Sequence, residues 1–135
     1  MKVSVFGNPD LEKDNLVVKL LPRLKKKFSK VEFKVEDPVE GLKPPLGDEL
    51  WVIIDVGEGV DKIAVIDDVN KIKEKRRVSL HDYGLGMELK LLRKIGRIKK
   101  LKIIVVPMKM EEEKALKEII KVLREIIPKE LRRKY

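Results

Sequence analysis

The stretch Leu50-Trp51-Val52-Ile53-Ile54-Asp55 is apolar on both faces of a strand and ends in a carboxylate. A strand without polar alternation is typical of the centre of a sheet that helices cover on both sides. Shorter strand-like segments lie on either side of it in the sequence: around Val3 and Val5, at Val31, Phe33 and Val35, near residues 62–66, and from Leu101 to Val106.

Three segments between and after these strands place apolar residues at helical spacing. They are Val17, Leu20, Leu21, Leu24 and Phe28; Leu85, Leu89, Leu92 and Ile95; and Leu116, Ile119, Ile120, Leu123, Ile126 and Ile127. Alternating strands and helices predict a single α/β domain over residues 1–135. We expect three layers: a twisted, five-stranded, mostly parallel sheet with helices on both faces.

The composition limits the function classes. The 135 residues include 32 Lys and Arg against 23 Asp and Glu, a net charge of +9, and no Gln, Thr or Cys. Much lysine and glutamate with few thermolabile residues is typical of proteins from hot environments, so the charge predicts a thermophile's solvated surface. The lack of cysteine excludes disulfides, thiolate metal sites and a cysteine nucleophile. With no signal-peptide or membrane-spanning pattern, the predicted location is the cytoplasm.

Three residues could form a metal-binding or acid/base site. Asp14 and Asp55 follow predicted strands, and His81, the only histidine, precedes a predicted helix. Ligands of α/β sheets bind beyond the carboxyl ends of the strands, where these groups could meet. Two carboxylates and an imidazole leave coordination positions open and do not select a metal. Each residue also has an ordinary interpretation: a helix cap, a turn former and a hydrogen-bonded core histidine, respectively.

Three motifs in the chain resemble those of the [NiFe]-hydrogenase maturation endopeptidases. The segment from Gly7 to Asp14 is similar to the family's Gly-Asn-x-Leu-x-x-Asp-Asp/Glu opening. Ile53-Ile54-Asp55 is similar to its second acidic motif, at the end of a core strand. The segment from Ser79 to Leu85 resembles its Ser-x-His-x-x-Gly-Leu stretch. The order of the motifs also matches, and the resemblance covers nearly the whole chain.

The resemblance implies a nickel-dependent endopeptidase that trims the C-terminal peptide of a hydrogenase large-subunit precursor. Asp14, Asp55 and His81 would contact nickel carried by the precursor, so no permanently bound cofactor is expected. Either carboxylate could activate water, with nickel or His81 polarising the peptide carbonyl. Candidates for the substrate groove are Asn8, Glu36, Asp37, Ser79 and Gly84. The expected partner is the precursor, no membrane contact is predicted, and a monomer is favoured.

The sequence departs from the family pattern in its loops. Glu36-Asp37-Pro38 stands where the family has an acidic residue followed by Gly-Gly-Thr, and Lys13 and Asn15 replace a common aspartate and glycine. Pro107-Met108-Lys109-Met110 leads almost directly into the last helix, where the family has a longer loop. Two interpretations stay open: an unusual precursor, or a divergent member with reduced or altered cleavage.

Two other function classes compete with the peptidase. Basic clusters at residues 25–27, 73–77, 99–102 and 132–134 could contact phosphates if they shared a face. Aromatic residues make up only 4% of the chain, which disfavours nucleic acid as a partner and leaves an acidic one open. A different hydrolase or phosphorylase on a similar sheet would use Gly57-Glu58-Gly59. That segment lacks the spacing of a nucleotide-binding loop and predicts a tight turn.

Overall fold

Strands and helices alternate along the chain, as the sequence predicts. The computed structural model describes residues 1–6, 16–37, 41–45, 47, 49–57, 60–67 and 85–128. The elements are β1 (Lys2–Phe6), α1 (Leu16–Lys27), β2 (Glu32–Glu36), β3 (Leu50–Gly57), β4 (Ala64–Ile66), α2 (Leu85–Lys94), β5 (Lys100–Pro107) and α3 (Glu112–Ile126).

The five strands in the described part of the chain form one sheet in the order β2-β1-β3-β5-β4. Strands β1, β2, β3 and β5 are parallel, and β4 runs antiparallel to β5. β3 is the middle strand and is buried from Trp51 to Gly57, which confirms the central position predicted from its continuous apolar run. β2 lies at one edge, as the alternation of Val31, Phe33 and Val35 with the charged Glu32 and Lys34 predicts. β4, at the other edge, is shorter than the predicted strand at residues 62–66.

Helices cover both faces of the sheet and complete the predicted three layers. Alternate strand residues such as Val5, Val52 and Ile104 pack against α1 and α3, on what we call the α1/α3 face. The intervening residues, such as Trp51 and Ile103, pack against Leu89 of α2, on the α2 face. The side-chain period of two in a strand thus sorts the core into two layers.

The α2 face holds a buried polar pair and is closed at one side by residues 41–45. Nε1–H of Trp51 donates a 2.8 Å hydrogen bond to Oγ of Ser4, so both polar groups are satisfied inside the core. Leu42 packs against the same apolar cluster. The carbonyl of Lys43 accepts a 2.9 Å hydrogen bond from Nζ of Lys2, which fixes the segment against β1.

Helix α2 ends one residue before Ile95, and this corrects the predicted apolar face. Gly96 has φ of 81°, a left-handed conformation that glycine adopts without strain. The amides of Gly96 and Arg97 donate to the carbonyls of Arg93 and Leu92, which is the Schellman pattern of helix termination. The chain therefore turns at Ile95, and this side chain is 62% exposed rather than part of the core.

No helix among the described residues has the length and apolar content needed to cross a bilayer.

Candidate functional site

Asp55 is a buried carboxylate near the carboxyl end of the central strand. It is 2% exposed, and its Oδ1 accepts a 2.9 Å hydrogen bond from the amide of Val56. Asp55 pairs with Val105 inside the ladder, and pairing continues to Gly57 and Pro107. The residue thus lies within β3, two residues before its end, rather than just beyond it as the sequence suggested. By strand alternation its side chain is on the α2 face, with Trp51 and Ile53.

Glu36, the last residue of β2, lies at the same level of the sheet. It pairs with Phe6, and Phe6 is one residue beyond the pairing of Val5 with Ile54. Glu36 and Asp55 therefore flank Phe6 on the same face. With strands about 4.8 Å apart, their backbones are separated by about 10 Å. Two buried carboxylates thus lie at the edge where β1, β2, β3 and β5 end, which we call the carboxyl edge.

The carboxylate of Glu36 is held by a buried ion pair. Nζ of Lys2 lies 2.6 Å from Oε1 of Glu36, and the two side chains are 15% and 3% exposed. Oε2 of Glu36 is also buried and accepts no hydrogen bond from the described residues. Because Glu36 is enclosed, its neighbour Asp37, which is exposed, offers the more accessible carboxylate for a groove.

The other predicted site residues lie outside the described residues. These are Asp14, His81, Asn8, Ser79 and Gly84. Within the described ranges, no three acidic or histidine side chains are close enough together to hold a metal ion. The meeting of Asp14, Asp55 and His81 therefore stays a prediction.

Helices α1 and α2 both end at the amino edge of the sheet. Helix α1 leads into the first residue of β2, and α2 leads into the first residue of β5, so both helices end at this edge, opposite the carboxyl edge. A helix of 12 residues, as in α1, spans about 18 Å, enough to return along the sheet. The first residue of α1 and Asp55 therefore lie at the edge where ligands of α/β sheets bind.

An open cavity of about 580 Å³ lies at the same edge. Val60, Asp61, Lys114 and residues 107–111 line it. The amide of Met108 donates to the carbonyl of Gly57 at 3.1 Å, so the cavity wall is fixed to the end of the strand that carries Asp55. The sequence does not by itself assign these residues to a cavity. It does show that the loop after Pro107 is shorter than in the family, and this loop lines the cavity.

Comparisons with known proteins identify the fold. No protein-family model and no curated protein matches the sequence. The solved [NiFe] hydrogenase maturation protease HybD from Thermococcus kodakarensis is similar at a TM-score of 0.61 and 16% identity, over 95% of this chain and 100% of that chain. This chain has the hydrogenase maturation protease fold.

Two further structures agree with this assignment. The hydrogenase maturating endopeptidase HybD from E. coli matches at a TM-score of 0.54 and 21% identity, over 93% of this chain and 94% of that chain. The solution structure of an endopeptidase from Escherichia coli matches at 0.64 and 21%, with the same coverage. The resemblance is therefore confirmed for the fold. The low sequence identities to these structures agree with the departures of this chain's loops from the family pattern.

Proposed function

We propose that this protein is an endopeptidase that removes the C-terminal extension of a [NiFe]-hydrogenase large-subunit precursor. The observation that carries the proposal is the placement of Asp55. This buried carboxylate lies at the ligand-binding edge of a fold shared with proteins named as hydrogenase maturation proteases. A carboxylate oxygen is a ligand that divalent metal ions accept.

Asp14 and His81 complete the proposed set of nickel ligands. Asp14 is two residues before Leu16, where α1 begins, and His81 is four residues before Leu85, where α2 begins. Helix α1 starts at the carboxyl edge, so chain connectivity allows Asp14 to reach it, and the proposal requires the segment before α2 to bring His81 to the same edge. The nickel belongs to the precursor as part of the substrate, and the precursor's own ligands fill the remaining coordination positions.

The chemistry assigned to these residues is hydrolysis of one peptide bond. One carboxylate, Asp14 or Asp55, takes a proton from water as the water attacks the carbonyl carbon, and returns it to the leaving nitrogen as the C–N bond breaks. Nickel or His81 stabilises the negative charge that develops on the carbonyl oxygen. Glu36, Asp37, Asn8, Ser79 and Gly84 remain the candidates for positioning the extension, and the reaction is expected in the cytoplasm.

Processing of a nickel-loaded precursor tests the proposal. The purified protein is mixed with a hydrogenase large subunit that still carries its C-terminal extension, and mass spectrometry follows the loss of mass. We expect shortening by the wild-type protein and none by Asp55→Asn, Asp14→Asn or His81→Ala. A precursor prepared without nickel should stay intact, because recognition requires the metal.

A matched control separates loss of the site from loss of the fold. Asn at position 55 keeps an oxygen that can accept the hydrogen bond from Val56, so Asp55→Asn should fold. Glu125→Gln makes the same acid-to-amide change on the exposed side of α3 and should process normally. Folded Asp55→Asn protein that processes at the wild-type rate would refute the site. A wild-type protein that cleaves no nickel-loaded precursor would support the interpretation of a member without protease activity.

A further inference from the structure

The end of α2 exposes two aliphatic side chains side by side. Leu91 is 57% exposed and Ile95 is 62% exposed, the highest values for large hydrophobic residues in the described part of the chain. The amide of Ile95, just after the helix, still donates to the carbonyl of Leu91 at 3.0 Å, so the two residues are one turn apart. Single exposed aliphatic residues are common on protein surfaces, but an adjacent pair in a charged surrounding calls for a specific explanation.

The surroundings of this pair are almost entirely basic. Residues 88–102 contain one acidic residue, Glu88, and seven basic ones, Lys90, Arg93, Lys94, Arg97, Lys99, Lys100 and Lys102. Cations near the end of a helix interact favourably with its dipole, which accounts for Arg93 and Lys94. It does not account for the cations beyond the helix or for the aliphatic pair. We define the α2 patch as the exposed residues Leu91, Lys94, Ile95, Arg97 and Lys100.

The α2 patch is preorganised and lies away from Asp55. The Schellman turn at Gly96 fixes the backbone, and the guanidinium of Arg93 donates to the carbonyl of Lys99 across the turn. Lys100 pairs with Leu50 at the amino edge, five residues before the pairing of Asp55 with Val105. At about 3.3 Å per residue, this is about 17 Å along the sheet. A partner on the α2 patch would leave the carboxyl edge accessible.

We propose that the α2 patch docks an acidic amphipathic helix of a protein partner. Leucine-type side chains of the partner would cover Leu91 and Ile95, and its carboxylates would contact Lys94, Arg97 and Lys100. The opposite charges speed association and fix the register, and removal of the aliphatic pair from water supplies affinity.

Other classes of macromolecule fit the α2 patch less well. Single-stranded nucleic acid binds by stacking on exposed aromatic rings, whereas the aromatic side chains that the structure describes, Phe6, Phe28, Phe33 and Trp51, are all buried. An interfacial membrane helix inserts a whole apolar face into the lipid. Here Leu89 and Leu92 of that face already pack against the sheet, and among the aliphatic side chains described in and just after α2 only the pair Leu91 and Ile95 remains exposed.

Peptide binding to the full-length protein tests this proposal independently of any protease activity. The probe is a synthetic helical peptide with leucines one turn apart on one side and glutamates flanking them. Two control peptides replace either the glutamates by lysine or the leucines by serine. Affinity is measured by calorimetry at low and high salt, and amide NMR shifts locate the bound peptide.

The variants are matched in chemistry and differ in location. We expect Leu91→Ser to weaken binding of the acidic peptide about tenfold, through lost apolar burial. We expect Lys94→Glu with Arg97→Glu to weaken it at least about tenfold at low salt, through charge reversal. Val65→Ser on β4 and Lys25→Glu at the end of α1 make similar changes elsewhere and should alter affinity by less than about twofold.

The outcomes decide the proposal. Tightest binding of the acidic amphipathic peptide, with shifts centred on Leu91, Ile95 and Arg97, supports it. Equal binding of either control peptide, or unchanged affinity in the α2 patch variants, overturns it. Tighter binding of duplex DNA or of phosphatidylglycerol vesicles than of the peptide overturns it as well, and assigns the basic surface to that partner instead.

Discussion

At the residue scale, the carboxylates of Asp55 and Glu36 are both buried at the same level of the sheet, and each is stabilised by a different partner. Asp55 accepts a backbone hydrogen bond from Val56, and Glu36 is paired with Lys2. Removing one partner of a buried ion pair leaves an uncompensated charge, and this costs more than the pair itself contributes. Loss of Lys2 alone should therefore destabilise the fold more than replacement of both Lys2 and Glu36 by uncharged side chains.

Lys2→Met should destabilise the protein by about 3 kcal/mol, because it leaves the Glu36 carboxylate buried without its cation. Adding Glu36→Gln to that variant should recover most of the loss, since the amide carries no charge. Chemical denaturation of the two variants and the wild type measures both effects. The prediction fails if the double variant is less stable than Lys2→Met.

At the element scale, helix ends decide where side chains point. The Schellman turn after α2 ends the helix at Lys94 and turns Ile95 towards solvent. At the start of α3, the carboxylate of Glu113 binds the guanidinium of Arg23 through two hydrogen bonds, of 2.7 and 3.2 Å, and so joins α3 to α1. Each of these features predicts a stability change that a single substitution can measure.

Gly96→Ala should lower the free energy of unfolding by about 1 kcal/mol, because alanine is strained at the positive φ of this position. The space around Gly96 is open, so the backbone conformation alone causes the loss. Gly96→Asn tolerates the left-handed region better and should lose less. Thermal unfolding of the two variants checks the order, and an alanine variant as stable as the wild type would contradict it.

Glu113→Gln should change how stability depends on pH. The hydrogen bond from Arg23 holds the pKa of Glu113 below its ordinary value of 4.5 in the folded protein. A lowered pKa stabilises the fold above the unfolded-state value, and this contribution is lost as the pH falls through the folded-state value. The wild type should thus exceed the variant in stability at neutral pH, and the difference should shrink below pH 4.5. A difference that grows in acid would contradict this assignment.

At the scale of the whole molecule, the sequence predicts the sheet better than it predicts the site. The continuous apolar run of β3 reports burial directly, so its central position followed from the pattern. The pairing of Glu36 with Lys2 could not be predicted in the same way. It depends on the register between β1 and β2 and on residues 41–45, which fix Lys2 through Lys43.

The same limit applies to the end of β2 and to the cavity. Val35 follows the apolar alternation of Val31 and Phe33, yet it is 37% exposed, while the charged Glu36 beside it is buried. Hydrophobicity alone does not identify which strand residues a later segment of the chain will cover. The cavity at the carboxyl edge joins residues 60–61 with residues 107–114, and such long-range contacts are invisible to local patterns.

The molecule has distinct surfaces at its two edges. Asp55, Glu36 and the open cavity lie at the carboxyl edge, where the proposed cleavage takes place. The α2 patch lies at the amino edge, where α2 ends and β5 begins. A partner could therefore be bound at one edge while the precursor is processed at the other, and variants at one edge should leave the function of the other intact.

The central claim is that Asp14, Asp55 and His81 meet around nickel at the carboxyl edge. Crystals soaked in a nickel salt and measured at the nickel absorption edge locate the ion directly. The proposed site requires an anomalous peak at about 2.0–2.2 Å from a carboxylate oxygen of Asp55 and from a ring nitrogen of His81, with Asp14 as the third ligand. An imidazole of His81 lying away from the carboxyl edge, with no peak at Asp55, would contradict it.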